Sequence, residues 1–260
     1  MMWWRVLLLS LFVGWLSAGA ASAHPEDEFC VGGEGMDPAL CRALQNMDRS
    51  ADPGPRGTGF TETETIDFER PALETFGLYI EIGVRHILPG GLDHILFVLA
   101  MFFSARHLRP LLIQISAFTV AHTITLGLVA AGIFAPPASI VEPLIAATIA
   151  LVAVENIFFK NMTRWRPFVV FGFGLIHGMG FAGFFGSLGL PDGQFWSALI
   201  GFNIGVEIGQ LAVVVLAAFL FWPLRSRVSE GLYDRGVVWP ASGFIALVGA
   251  YWAFERVFLG

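Results

Sequence analysis

Six apolar stretches follow one another over residues 76–104, 110–134, 138–159, 167–188, 195–222 and 238–258. Each approaches or exceeds the ~20 residues needed to cross a bilayer as a helix. A soluble chain of 260 residues would have to bury nearly all of them, which a chain of this size cannot do. Only 14% of the residues are charged and the mean hydropathy is +0.68, whereas a soluble domain carries about 25% charge. The expected fold is therefore all-α: a polytopic membrane protein of about six transmembrane helices. The first stretch is interrupted by Pro89-Gly90-Gly91. Proline removes a hydrogen bond and clashes inside a continuous helix, so a break or a seventh, re-entrant piece is expected there.

The connectors set the expected orientation. Arg106, Arg109, Lys160, Arg164, Arg166, Arg225, Arg227 and Arg235 all fall in alternate connectors, and the intervening ones carry no positive charge. The positive-inside rule makes the basic connectors cytoplasmic and places both termini outside. Residues 1–23 read as a secretory signal, with Arg5, an apolar run over 6–16 and Ala21-Ser22-Ala23 as a cleavage site. The alternative is an uncleaved first helix; the small-residue ending and the polar stretch after it favour cleavage.

Residues 24–75 form an acidic exported leader, and 76–260 the transmembrane domain. Residues 24–82 hold 13 of the 21 acids but four of the 15 basic residues. That balance excludes nucleic acid, whose binding rests on neutralising phosphates. The leader could draw cations by its field, or be a solvated, poorly ordered tail. Cys30 and Cys41 both fall in it. An oxidising compartment permits a disulfide between them, and a soft-metal role is the weaker alternative. A cleaved chain would begin at His24, whose amine and imidazole could chelate copper. Residues 52–59 read as a linker.

Most of the apolar segments carry groups that lipid rejects. The first has His86, Asp93 and His94. The second has Thr119, His122 and Thr125 at intervals of three. The third has Glu142 near one end and Glu155-Asn156 near the other. The fourth has His177, and the fifth has Asn203, Glu207 and Gln210 along one stripe. The sixth reads as scaffold. Ionisable groups at membrane depth normally face a protein interior and have a task. Each histidine alone is as well explained as a helix-bridging hydrogen bonder. Asp93, His94, His122, His177, Asn203 and Glu207 all fall in the outer-to-middle part of the membrane by count, and the set of four histidines and two carboxylates favours function. Imidazole with carboxylate suits borderline divalent metals. Thr119, Thr123, Thr125, Asn203 and Gln210 are available to orient such ligands. Glycines recur at Gly201, Gly205 and Gly209 and through the fourth segment. They would let the fourth and fifth helices approach, drawing His177 toward the Asn203–Glu207 stripe, or serve a homo-oligomer interface.

The runs Gly-Val-Arg-His-Ile-Leu-Pro-Gly-Gly-Leu-Asp-His-Ile-Leu-Phe from Gly83, Phe-Thr-Val-Ala-His-Thr-Ile-Thr-Leu from Phe118, and Glu-Pro-Leu-Ile-Ala from Glu142 belong together. With them go Val-Glu-Asn from Val154, Phe-Gly-Leu-Ile-His-Gly-Met-Gly-Phe-Ala from Phe173 and Phe-Asn-Ile-Gly-Val-Glu-Ile-Gly-Gln from Phe202. Together they resemble the HupE/UreJ family, in the branch with a longer exported leader. The family is associated with hydrogenase and urease gene clusters and is regarded as nickel permeases. The resemblance implies a multi-pass protein of the bacterial inner membrane with its leader in the periplasm or outside. It also implies a secondary transporter and metalloenzyme maturation partners. It carries over most directly to His86, Asp93 and His94, since the family's metal motif is His, a spacer, then Asp-His. The spacer here is longer than in the nickel–cobalt permeases, and the leader with its cysteines is not part of the core pattern.

The resulting expectation is a permease for a divalent transition metal. Nickel ranks first, with zinc, cobalt or copper as alternatives. His86, Asp93, His94, His122, His177 and Glu207 would form one or more embedded sites, His86 meeting the ion first. Protonation of a His or of Glu207 could couple release to a proton gradient. Thr119, Thr125, Glu142, Glu155, Asn156, Asn203 and Gln210 would orient ligands or line the path. No Walker motif occurs in the chain, which disfavours ATP hydrolysis. The runner-up is an intramembrane metallohydrolase, in which three His and a carboxylate activate water on zinc. It would need a tight three-ligand cluster, whereas a permease would string its ligands along a path. A metal-binding assembly factor is the third reading.

Overall fold

The computed structural model describes residues 71–159, 165–180 and 193–259. The expected signal segment, the expected leader up to residue 70 with Cys30 and Cys41, the connector residues Lys160 and Arg164, and residues 181–192 lie outside the described residues. Among the described residues every regular element is a helix. In chain order these are α1 (Ala72–Ile87), α2 (Leu92–Ser104), α3 (Leu108–Ala130), α4 (Ala138–Phe158), α5 (Arg166–Gly180) and α6 (Phe195–Arg225). A single turn, α7 (Glu230–Tyr233), then runs through a π-helical turn (Asp234–Val238) into α8 (Trp239–Phe258).

Four runs are long and apolar enough to cross a membrane: α3, α4, α6 and the continuous stretch Glu230–Phe258. A fifth is the broken pair α1 and α2, bent by 72°. The break falls at residues 88–91, where Pro89-Gly90-Gly91 leads the sequence to expect it. A β-carbon on Gly91 would collide with the His86 carbonyl, so glycine there lets the first turn of α2 close onto the last turn of α1. The described part of α5 is 15 residues, ~22 Å at 1.5 Å per residue. That is shorter than the ~30 Å hydrocarbon core. The six-span expectation thus stands at four to five spans among the described residues.

The helices associate as three close pairs around a hub. The hub is α2, in which residues 94–101 are all buried. The pair α1–α6 is parallel, because the facing positions rise together. Gly201 meets Phe76 and Tyr79, Gly205 meets Ile80 and Gly83, and Gly209 meets Ile87. No β-carbon fits at Gly83 or Gly205 without striking the opposing carbonyls of Phe202 and Ile80. Small residues permit that backbone approach, which drives association where lipid offers no hydrophobic gain. The pair α3–α5 is also parallel and uses Gly174 against Phe118 and Ala121, and Gly178 against His122 and Thr125. The pair α4–α8 is antiparallel, with Gly249 on Ala146 and Ala150. The glycines therefore work differently from the expectation. The α6 stripe seats α1 rather than α5, and the α5 glycines seat α3. Gly174, Gly178, Gly201, Gly205 and Gly209 are taken up by contacts within the chain, while Gly172 has nothing within contact distance.

Arg106 and Arg225, from two of the basic connectors, meet at one end of the bundle. Arg225 donates to the carbonyls of Ala105 and Arg106, both at 3.0 Å. Arg106 pairs with Glu230 at 2.6 Å. Outward faces of α3, α6 and α8 present Val120, Ile124, Ile204, Ile208, Leu247 and Phe254. A membrane protein turns such residues to lipid.

Candidate metal centre

Three helices deliver one imidazole each to a common point. His86 is the penultimate residue of α1, His94 lies in the first turn of α2, and His122 lies within α3. The α1–α2 break brings the first two rings to 4.7 Å between centroids. His122 stands 5.9 Å from His94 and 6.3 Å from His86. One ring nitrogen of each lies within 4.8 Å of the others. A shared metal at the ~2.0–2.1 Å length of an imidazole–metal contact requires these nitrogens to draw closer together. The rings are 9%, 6% and 0% exposed, so the cluster is almost dry. Phe118 and Phe202 lie nearly parallel to the His122 ring, at interplanar angles of 23° and 20°.

Hydrogen bonds decide which nitrogens carry lone pairs. Asn203 on α6 donates its amide to the Leu199 carbonyl at 2.8 Å, which turns its Oδ1 toward α3. That oxygen can only accept, so His122 Nδ1, 3.0 Å away, is the protonated nitrogen. His122 Nε2 is left unprotonated, buried and without a hydrogen-bond partner. The same reasoning applies on α4. Thr148 donates its hydroxyl proton to the Ile145 carbonyl at 2.7 Å. It must therefore accept from His177 Nε2 at 2.8 Å. His177 Nδ1 then carries the lone pair, and it too is buried without a partner. Partners of this kind fix tautomer and ring orientation in metal sites.

The structure brings together some of the candidate residues and separates others. His177 packs against His94 at 5.1 Å between centroids, beside the three-histidine set rather than in it. Asp93 turns away to Arg256 on α8, with oxygens at 3.0 and 3.3 Å from the two guanidinium nitrogens. Glu207 accepts from Ser116 at 2.8 Å on the partly exposed α3–α6 seam. Thr119 donates to Gln210 at 3.1 Å on the same seam. Thr125 bonds back to its own helix at the Ala121 and His122 carbonyls. The Glu142 side chain is exposed, while its carbonyl accepts from Arg256.

Glu155 and Asn156 lie at the basic end around Arg166, which is 3% exposed. Its guanidinium reaches Gln114 at 3.1 Å, Asn156 at 3.2 Å and Glu155 at 3.3 Å. Asn156 in turn donates to the Ala100 carbonyl at 2.8 Å and to Ser242 at 3.2 Å. This network ties α2, α3, α4, α5 and α8 together. Below it lies a cavity of about 140 Å³ lined by Phe103, Ser104, Asn156, Glu230 and Asp234 among others.

Sequence reasoning missed Thr148, Ser116, Arg166 as a buried anchor, and Arg256. Thr148 sits in an apolar run with no periodic polar partner. Arg166 carries the positive charge of a connector. Arg256 lies at the end of a helix that reads as scaffold. A carboxylate at membrane depth such as Asp93, which requires a cation, is the one available signal for Arg256.

A protein-family model described as HupE / UreJ protein matches residues 62–256. No curated protein and no solved structure matches the chain.

Proposed function

The chain belongs to the HupE/UreJ family, and from that premise we propose that it is a bacterial inner-membrane permease for a divalent transition metal, with nickel the first candidate. The observation that carries the reading is the buried cluster of His86, His94 and His122, with His122 Nε2 held unprotonated by Asn203. Neutral imidazoles in a dry, aromatic pocket suit nickel, cobalt, zinc or copper better than calcium or magnesium, which demand oxygen ligands. His177 supplies a further lone pair beside His94 and is the candidate for passing the ion onward.

With the basic end in the cytoplasm, α1 descends beside α6 from the outer side and carries His86 to the α1–α2 break, level with Gly209. Pro89 and Gly90 at the break are exposed. The ion enters past the break and is held by the three imidazoles. Release runs toward the cavity at the basic end. Between them stand the buried side chains of residues 95–101 and the Asn156–Arg166 network, so this conformation is closed on that side. Broken helices beside an ion site recur in transporters.

The tight three-histidine cluster also favours a second reading, an intramembrane metallohydrolase with zinc-activated water. Such a site needs a carboxylate base beside the metal. Two carboxylates of the candidate set are engaged elsewhere, Asp93 by Arg256 and Glu207 by Ser116.

The test is Ni(II) binding by the purified full chain, paired with cellular nickel accumulation. Binding and accumulation that both vanish in His94→Ala support a permease. Binding of stoichiometric metal without any accumulation rejects transport and leaves the hydrolase or an assembly factor.

A further inference from the structure

Three imidazoles bring no negative charge, so a dication in this pocket stays doubly charged in a poorly solvated interior. The carboxylate nearest in sequence to a candidate ligand is Asp93, adjacent to His94 in the first turn of α2. Its charge is already matched. Arg256, in the last turn of α8, chelates both oxygens at 3.0 and 3.3 Å. The same guanidinium donates to the Glu142 carbonyl at 3.1 Å and lies 5.6 Å from the Trp252 ring centroid. Both side chains of the pair are about one-fifth exposed, at 20% and 22%, so the pair is neither freely solvated nor sealed. A guanidinium is always charged and geometrically suited to a bidentate carboxylate.

We propose that Arg256 is an affinity-setting residue, a built-in cation that occupies Asp93 and keeps metal binding weak enough for release. The proposal rests on the permease reading above. Its physics is long-range and additive. The Asp93 charge attracts a dication held by His86, His94 and His122, and the Arg256 charge repels it. Together they cancel. Transport requires binding strong enough to capture the ion and weak enough to let it go, and a neutral pair beside the site supplies that compromise. Displacement of Arg256 from Asp93 would strengthen the site, and its return would weaken it.

Electrostatics gives this proposal a pattern of signs that a structural salt bridge does not share. Nickel binding is measured on the purified full chain in lipid nanodiscs for four variants. Arg256→Gln is expected to bind Ni(II) roughly tenfold tighter or more, since a positive charge near a dication is removed. Asp93→Asn is expected to bind weaker by a similar factor. The double variant Asp93→Asn/Arg256→Gln is expected to return to within about threefold of wild type, because a neutral pair replaces a neutral pair. Arg227→Gln removes the same charge at the basic end and is expected to change nothing.

Weaker binding in Arg256→Gln, or a double variant no better than Asp93→Asn, overturns the proposal. The second result would make Asp93 a direct ligand. If Arg256→Gln does not fold, Arg256→Met in the Asp93→Asn background carries the same test against Asp93→Asn alone. Absence of nickel binding in wild type, or binding unchanged in His94→Ala, is a separate failure that removes the metal centre itself.

Discussion

His122 Nδ1 lies 3.0 Å from Asn203 Oδ1, and the Asn203 amide is itself tied to the Leu199 carbonyl. The pair joins α3 to α6 and leaves His122 with one free lone pair, on the buried Nε2. Asn203→Leu removes the acceptor while keeping the volume. Metal affinity is expected to fall 10–100-fold, the usual cost of losing an orienting partner. The ¹⁵N spectrum of a His-labelled sample separates this from misfolding: His122 loses its fixed Nδ1–H tautomer while the other rings keep theirs.

Thr148 plays the matching part for His177. Thr148→Ser keeps the hydroxyl and is expected to transport at near wild-type rate. Thr148→Val deletes it and leaves a buried ring N–H unpaired, which costs about 1–3 kcal/mol. The expected result is slower nickel flux with equilibrium binding at the three-histidine set changed less than threefold. Equal flux for Ser and Val would remove His177 from the path.

The α1–α6 seam has no room for side chains at Gly83 or Gly205. Gly205→Val drives two methyl groups into the backbone of α1. Overpacking of this kind costs about 1–3 kcal/mol. Because α1 carries His86 against α6, the melting temperature and nickel binding should fall together. Gly172→Ala, at a glycine with nothing within contact distance, should leave both unchanged.

Arg166 is buried among Gln114, Asn156 and Glu155. Arg166→Met would take the guanidinium away from Gln114 and Asn156 and leave Glu155 without this cation. The loss is expected to be about 3 kcal/mol, as for removing one partner of a buried ion pair. A lower melting temperature measures it. The same network closes the basic end, so labelling of a Ser104→Cys reporter by a water-soluble maleimide should rise in this variant.

Much of this architecture is legible in the sequence. Residues 138–159 and 195–222 stand out as apolar runs, and α4 and α6 follow them almost residue for residue, because a helix closes all its backbone bonds within the one apolar segment. Pro89-Gly90-Gly91 marks the break for the same reason. The partners of each helix are less legible. Glycines at Gly201, Gly205 and Gly209 announce a close contact, but nothing in a single stripe says that α1 rather than α5 fills it. The same limit governs the site. His86, His94 and His122 are visible as polar residues at membrane depth. Their convergence depends on the 72° bend and on the α1–α6 register, which are tertiary. Glu207 is visible too, yet its helical face turns it to Ser116 rather than inward. Arg256 could not be found without knowing that α8 passes the first turn of α2.

The central claim is that the three-histidine cluster carries a transition metal across the bilayer. The most direct measurement is Ni(II) entry into sealed proteoliposomes containing the full chain and a trapped metal-sensitive dye, compared between wild type and His94→Ala. The account predicts saturable entry for wild type and entry at the protein-free leak rate for the variant. Equal entry in the two, or wild-type entry no faster than protein-free vesicles despite bound nickel, would contradict it.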